Sequence, residues 1–226
     1  MTVGALRVLI VDDHALIAQG VAIALEGEGM VATVSTGPTI DDVVSAAEAL
    51  RPDVVLLDLQ LNGQIGSGLR LVKPLSKLGS AVVVLTGVTD EAALAECLEQ
   101  GAYGLARKSE PFDQLVNKVI AAANGETVTP AHERFALLDN LRVERRRQRE
   151  RFEPFQRLTA REAEVLDRLM RGMQAEAIAR DFYVSVATVR SQIRSVLSKL
   201  DVNSQLAAVA LASDAEWQLE TISVAN

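Results

Sequence analysis

Asp12 and Asp13, Asp58, Thr86 and Lys108 each close or follow a short run of apolar residues in the first half of the sequence. If those runs are parallel strands, the five side chains meet, because the functional groups of an open α/β sheet gather in the crevice beyond the carboxyl ends of its strands. Three carboxylates in one place repel one another unless a cation joins them, and oxygen ligands with room for water and phosphate favour Mg2+. A carboxylate beside Mg2+ and a lysine can act as a nucleophile toward a phosphoryl group, since both cations neutralise charge on the transferring oxygens. The central acid, Asp58, is the candidate acceptor. Thr86 is placed to hydrogen-bond the new phosphoryl oxygens and Lys108 to pair with them, so modification would draw two flanking loops inward.

The elements that must position these groups can be read in the same stretch. Short β-branched runs at Leu6 to Val11, Val31 to Thr36, Asp53 to Leu57, Ala81 to Thr86 and Tyr103 to Arg107 alternate with amphipathic helical patterns at about 14–27, 40–50, 68–78, 90–100 and 112–124. Alternation of this kind is the signature of βαβ units and a parallel sheet. Segments such as VVLL and VVVL are apolar on consecutive residues, as expected of strands covered on both faces. The fold class expected for residues 1–125 is therefore α/β, a doubly wound (βα)5 domain.

These residues resemble the receiver domain of two-component response regulators through VLIVDDH (8–14), VVLLDLQL (54–61), VVLTG (83–87) and RKSEP (107–111), over essentially all of residues 5–125. The resemblance implies that Asp58 accepts phosphate from a sensor histidine kinase. It also implies that Asp12, Asp13, Asp58 and the backbone carbonyl of Gln60 hold Mg2+, and that Thr86 and Lys108 form the switch. Two departures stand out. Leu105 occupies the place, three before the lysine, where the family usually carries an aromatic residue, with Tyr103 two residues earlier; and Asn62 stands where a proline is usual, in a loop NGQIGSG (62–68) about two residues longer. A Gly-rich loop next to Asp58 would alter phosphate access or lifetime.

The second half reads differently. From Ala131 to Glu153 there is no Gly or Pro; Phe135, Leu138 and Leu141 form an apolar stripe that gives way to the charged run RVERRRQRER, and Pro130 and Pro154 bracket the segment. This is a helix that packs at its start and is solvated afterwards, a linker over 126–156. The alternative for its arginines at 145–151 is phosphate contact or docking on the acidic first domain. Residues 157–226 read as an all-α domain of short helices, with Thr159 and Ser185 as N-caps and Gly172 as a stop. A short helix (Ala175 to Asp181), a turn (Phe182 to Ser185) and a helix (Val186 to Lys199) carrying Arg190, Arg194 and Lys199 without an acid form a helix-turn-helix. Val189, Ile193, Val196, Leu197 and Leu200 should pack inward and leave Arg190, Ser191, Arg194 and Ser195 outward. Arginines near the start of such a helix can make bidentate bonds to guanine, while Thr188, Gln192 and Lys199 suit phosphates.

Residues 158–212 are similar over their full length to the LuxR-type helix-turn-helix of the NarL/FixJ regulators, through LTAREAEVL, AEAIA, SVATVRSQI and KLDVNSQLAAVA. The resemblance puts base reading on Arg190, Ser191 and Arg194. It also makes the Ala- and Leu-rich last helix, Gln205 to about Trp217, a dimerisation surface, so that a homodimer would bind two-fold related half-sites. The plainer alternative for that helix is packing within the domain.

The bulk properties agree. A chain of 226 residues suits two domains, and its net charge of −7 lies wholly in residues 1–125, with 8 Lys/Arg against 15 Asp/Glu; residues 126–226 carry 15 of each. DNA contact must therefore come from a local basic surface. No uninterrupted apolar stretch of membrane-spanning length and no secretory signal are present, so a cytoplasmic location is expected. The single cysteine, Cys97, lies in an apolar-periodic stretch and reads as a buried structural thiol. The function expected is a DNA-binding transcriptional response regulator, not an enzyme, controlled by phosphorylation of Asp58. One alternative is a constitutive DNA-binding protein with a phosphorylation-independent receiver. An aspartyl-phosphate phosphohydrolase is a third class, but the sequence lacks the DxD motif and cap insertion expected of one and would leave the second domain without a role.

Overall fold

The structure is a computed structural model, described here over residues 5–35, 37–87 and 90–219. It divides into two compact units at Arg142/Val143. The first contains β1 (Arg7–Val11), α1 (Ala15–Gly27), β2 (Val31–Val34), α2 (Ile40–Leu50), β3 (Val54–Asp58), α3 (Leu69–Lys77), β4 (Ala81–Thr86), α4 (Glu91–Glu99), β5 (Gly104–Arg107) and α5 (Phe112–Ala123). All five strands are parallel, in the order β2-β1-β3-β4-β5. Thr36, which the expected second strand included, lies outside the described residues.

Consecutive strand residues point to opposite faces, and this alternation builds two cores. Leu9, Val11, Val55, Leu57, Val82 and Val84 face α2, α3 and α4. Val8, Ile10, Val54, Leu56, Val83 and Leu85 face α1 and α5, where Ala18, Ala22 and Leu25 recur at helical spacing. Both faces being covered explains why the central strand β3 is buried at every residue. The chain reverses direction across the sheet between β1 and β3, which opens a crevice at their carboxyl ends. Cys97 is fully buried, and burial pushes its thiol up to about 12.

Residues Ala131–Gln156 form one helix, α6, which runs from the first unit into the second. Two expectations change here. Leu137 and Leu141 are buried against the core of the first unit with Leu138 partly covered, whereas Phe135 is 68% exposed. The packed face is the i, i+4 pair Leu137/Leu141, to one side of the stripe read from the sequence. The helix also continues through Pro154 instead of stopping at it, and Phe155 immediately beyond is buried in the second core.

The second unit contains α7 (Ala160–Met170), α8 (Ala175–Asp181), α9 (Val186–Lys199) and α10 (Gln205–Asp214). Thr159 caps α7 in a capping box with Glu162, Ser185 caps α9 and Ser204 caps α10. Gly172 ends α7 with φ +76°. Helix α10 stops three residues short of the expected Trp217, whose ring instead stacks on Phe155 at 5.6 Å. No described helix is long and apolar enough to cross a membrane.

Candidate acid pocket and nucleic-acid interface

The ends of β1, β3 and β4 and the residue after β5 supply the acid pocket. Asp12 and Asp13 follow β1, Asp58 and Thr86 are the last residues of β3 and β4, and Lys108 follows β5. Asp12, Asp58 and Thr86 are buried. The Lys108 ammonium reaches between two of the acids, donating to Asp12 Oδ2 at 2.7 Å and to Asp58 Oδ2 at 2.8 Å. Burial alone would lower the lysine's pKa, but these two carboxylates outweigh it and raise it, so the ammonium stays charged. The backbone amide of Lys108 donates to the Thr86 carbonyl at 2.9 Å, which fixes the start of its loop against β4.

The loop after β3 is tied to the same place. The Gln60 amide donates to Asp58 Oδ1 at 3.2 Å, and the backbone and side-chain amides of Asn62 both donate to Asp13 Oδ2. Slight burial would raise Asp13, but the Asn62 donors and the nearby His14 bring it below the usual carboxylate range. The loop closes with the Gly68 amide on the Leu59 carbonyl at 2.9 Å. Gly68 is required there: a Cβ would lie 2.0 Å from the Asp58 carbonyl oxygen.

Donor atoms of Asp12, Asp13, Asp58 and His14 lie within 4.8 Å of one another. Three carboxylates with this mutual spacing suit a hard divalent cation. His14 Nδ1 is 3.0 Å from Asp13 Oδ1 and 3.3 Å from Asp12 Oδ1.

In the second unit α9 packs with Val189, Ile193, Val196 and Leu200 buried and Leu197 half-buried. Thr188, Arg190, Ser191 and Arg194 are exposed, so four of the six expected contact residues share an open face. Gln192 is half-buried, with its amide oxygen out of solvent. Ser195, expected to face outward, is half-buried and donates its hydroxyl to Glu162 Oε1. Lys199 is engaged too: its ammonium donates to Glu162 Oε2 at 2.6 Å, so its phosphate contact would have to compete with an ion pair. Glu162 also accepts from the amide and hydroxyl of Thr159. Burial raises a carboxylate, but these four donors win and hold Glu162 at about 2.

Comparison with known proteins agrees with both halves. Residues 8–120 match the response regulator receiver domain, and residues 156–212 match the bacterial regulatory proteins of the luxR family. The chain belongs to the luxR-type response regulators. It is 32% identical over 207 residues to the probable transcriptional regulatory protein NarL of Mycobacterium tuberculosis, covering 90% of this chain and 92% of that protein. It is also 32% identical over 211 residues to the nitrate/nitrite response regulator protein homolog of Haemophilus influenzae, covering 91% and 95%. Among solved structures, a complex of the response regulator RcsB with DNA aligns at 25% identity and a TM-score of 0.50, over 92% of this chain and 98% of that one.

Sequence reasoning about this response regulator missed four polar groups. His14 and Asn62 enter the acid pocket, Glu162 ties α9 to α7, and Glu176 on α8 accepts from Arg190 Nη2 at 2.9 Å. His14 carried a signal, since it directly follows the acid pair. Glu162 carried another, in its T-x-x-E spacing from Thr159. Asn62 stood out only as a departure from the usual proline, with nothing to point it at Asp13, and Glu176 is not marked by local spacing.

Proposed function

We propose that this regulator binds DNA through α9 under the control of phosphorylation at Asp58. The observation that carries the reading is Lys108 bridging Asp12 and Asp58 at 2.7 and 2.8 Å. A cation already seated on the acceptor is placed to take up a phosphoryl oxygen in exchange for a carboxylate. Asp58 attacks the phosphorus of a phosphohistidine or of acetyl phosphate, its Oδ–P bond forms, and the bond to the donor's nitrogen or oxygen breaks. Asp12, Asp13, Asp58 and the Gln60 carbonyl would hold Mg2+, which would neutralise charge on the transferring oxygens. Thr86 and Lys108 would bind the new phosphoryl group and pull the loops after β4 and β5 toward it.

The donor is a sensor histidine kinase, and the output is a change in transcription made by a homodimer on two related half-sites in the cytoplasm. The DNA complex of RcsB supports the second part. Thr188, Gln192 and Lys199 would serve phosphates, and Arg190, Ser191 and Arg194 the bases.

The test of the first part is to incubate the protein with acetyl phosphate and Mg2+ and look for a phosphoryl mass adduct, absent in Asp58→Ala. Failure of the wild type to acquire it would leave the second reading, DNA binding independent of phosphorylation, which the Asn62 loop and Leu105 favour. For the second part, Arg190→Ala and Arg194→Ala are each expected to cost about 1–3 kcal/mol in specific binding. Unchanged sequence preference in both would refute the assignment of α9.

A further inference from the structure

The two exposed arginines of α9 differ in their surroundings. Arg190 Nη2 donates to Glu176 Oε1 at 2.9 Å, whereas Arg194, one turn further on, has no ion-pair partner among the described residues. Glu176 belongs to α8, so the contact ties the tip of an arginine on the recognition helix to the other helix of the helix-turn-helix. Glu176, Arg190 and Arg194 line one open groove of about 1050 Å3. Both members of the pair are largely solvated, with side chains 66% and 49% exposed, and ion pairs in that setting add little to stability. The consequence of the contact lies instead in what it does to Arg190 as a ligand for nucleic acid.

We propose that Glu176 is a specificity-determining residue, which holds the Arg190 guanidinium through one N–H, cancels its pull on phosphates and leaves a two-donor edge to read a base. The proposal rests on the reading that α9 binds DNA. A guanidinium has five N–H donors. With one Nη2 hydrogen engaged, either the Nη1/Nη2 edge or the Nε/Nη2 edge keeps both of its donors, which is what the O6 and N7 atoms of guanine require. The carboxylate makes the pair formally neutral. A neutral pair releases no counterion on meeting a phosphate, so Arg190 adds little to sequence-independent binding. Arg194, lacking such a partner, keeps its full attraction for phosphate as well as for bases. The domain's own charge fits this division, since residues 126–226 carry equal numbers of acidic and basic groups and have no general excess to hold DNA without sequence.

The experiment uses the full chain, treated with acetyl phosphate and Mg2+, with a duplex selected by the wild-type protein from a randomised pool and a scrambled duplex of the same length. Affinities for both are measured by fluorescence anisotropy over a salt series for wild type, Glu176→Gln, Arg190→Ala and the double variant. Thermal unfolding checks that the exposed substitutions leave the fold intact. Glu176→Gln is expected to tighten binding to the scrambled duplex several-fold and to steepen its salt dependence by about 0.9 in log–log slope, the increment for one further neutralised phosphate. The ratio of selected to scrambled affinity should fall about 10-fold, within the range set by one bidentate arginine–guanine pair. In the Arg190→Ala background the same substitution should change neither the ratio nor the slope. Equal tightening on both duplexes would overturn the proposal, because Glu176 would then be only a repulsive charge. An effect that persists without Arg190 would overturn it as well. If Arg190→Ala alone leaves the ratio unchanged, the fault lies one step earlier, with the assignment of Arg190 as a base reader.

Discussion

Glu162→Gln isolates the ionic part of the network that fixes α9 to α7. The carboxylate is buried, and it is held by Lys199, Ser195 and Thr159 at about 2 against an ordinary value of 4.5. That difference corresponds to about 3 kcal/mol in favour of the charged form. Glutamine keeps the shape and can still accept hydrogen bonds, but it leaves the half-buried Lys199 ammonium without a counterion, so a loss of about 2–3 kcal/mol at neutral pH is expected. For a unit of this size that is a fall in midpoint of roughly 10–20 °C. The sign with pH follows from the depressed folded-state value. The contribution is complete above about 4.5 and is lost as the pH falls toward 2, with more than half gone by about pH 3. The assay is provided by the chain itself, since its single tryptophan, Trp217, is buried against Phe155 and reports on the second unit. Thermal and urea unfolding followed by Trp217 fluorescence should show a wide gap between wild type and Glu162→Gln at pH 7 that narrows by about 2 kcal/mol by pH 3. A gap under about 1 kcal/mol at pH 7, or one of the same size at both pH values, would refute the argument.

Other outcomes follow from the first unit. Lys108→Met leaves two buried carboxylates without their cation, so the receiver unit should lose about 3–5 kcal/mol in urea unfolding, part of it restored by millimolar Mg2+. Full stability without the metal would count against the Lys108 bridge as a structural element. Gly68→Ala forces a Cβ onto the Asp58 carbonyl oxygen, and the expected cost is about 3 kcal/mol together with slower formation of the phosphoryl adduct. Cys97 should react with a thiol reagent only at the rate of unfolding, because burial keeps its thiol protonated and covered; fast labelling of the native protein would contradict its placement.

The fold of the first unit was legible because its information is local. Strands buried on both faces have to be apolar on successive residues, helices between them have to show a 3.6-residue period, and the acids, threonine and lysine of the pocket have to stand at strand ends. The caps Thr159 and Ser185 and the stop at Gly172 are equally local: the first and last bound α7, and Ser185 starts α9 at Val186, where the sequence placed it. What tertiary structure decided was the partner of each polar group. Lys108 was visible as a cation near three acids, but its choice of Asp12 and Asp58 over Asp13 depends on how β1, β3 and β5 lie in the sheet. Lys199 and Ser195 read as free surface groups on α9, and only the packing of α7 against that helix turns them to Glu162, 37 and 33 residues away. Phe135 and Leu137 could exchange places for the same reason: a periodic pattern fixes that a helix has an apolar face, while a few tens of degrees of rotation, set by the neighbouring element, select which residues occupy it. Arg190 was chosen by its residue type and position, and the Glu176 carboxylate beside it is a contact between two helices that neither helix encodes alone.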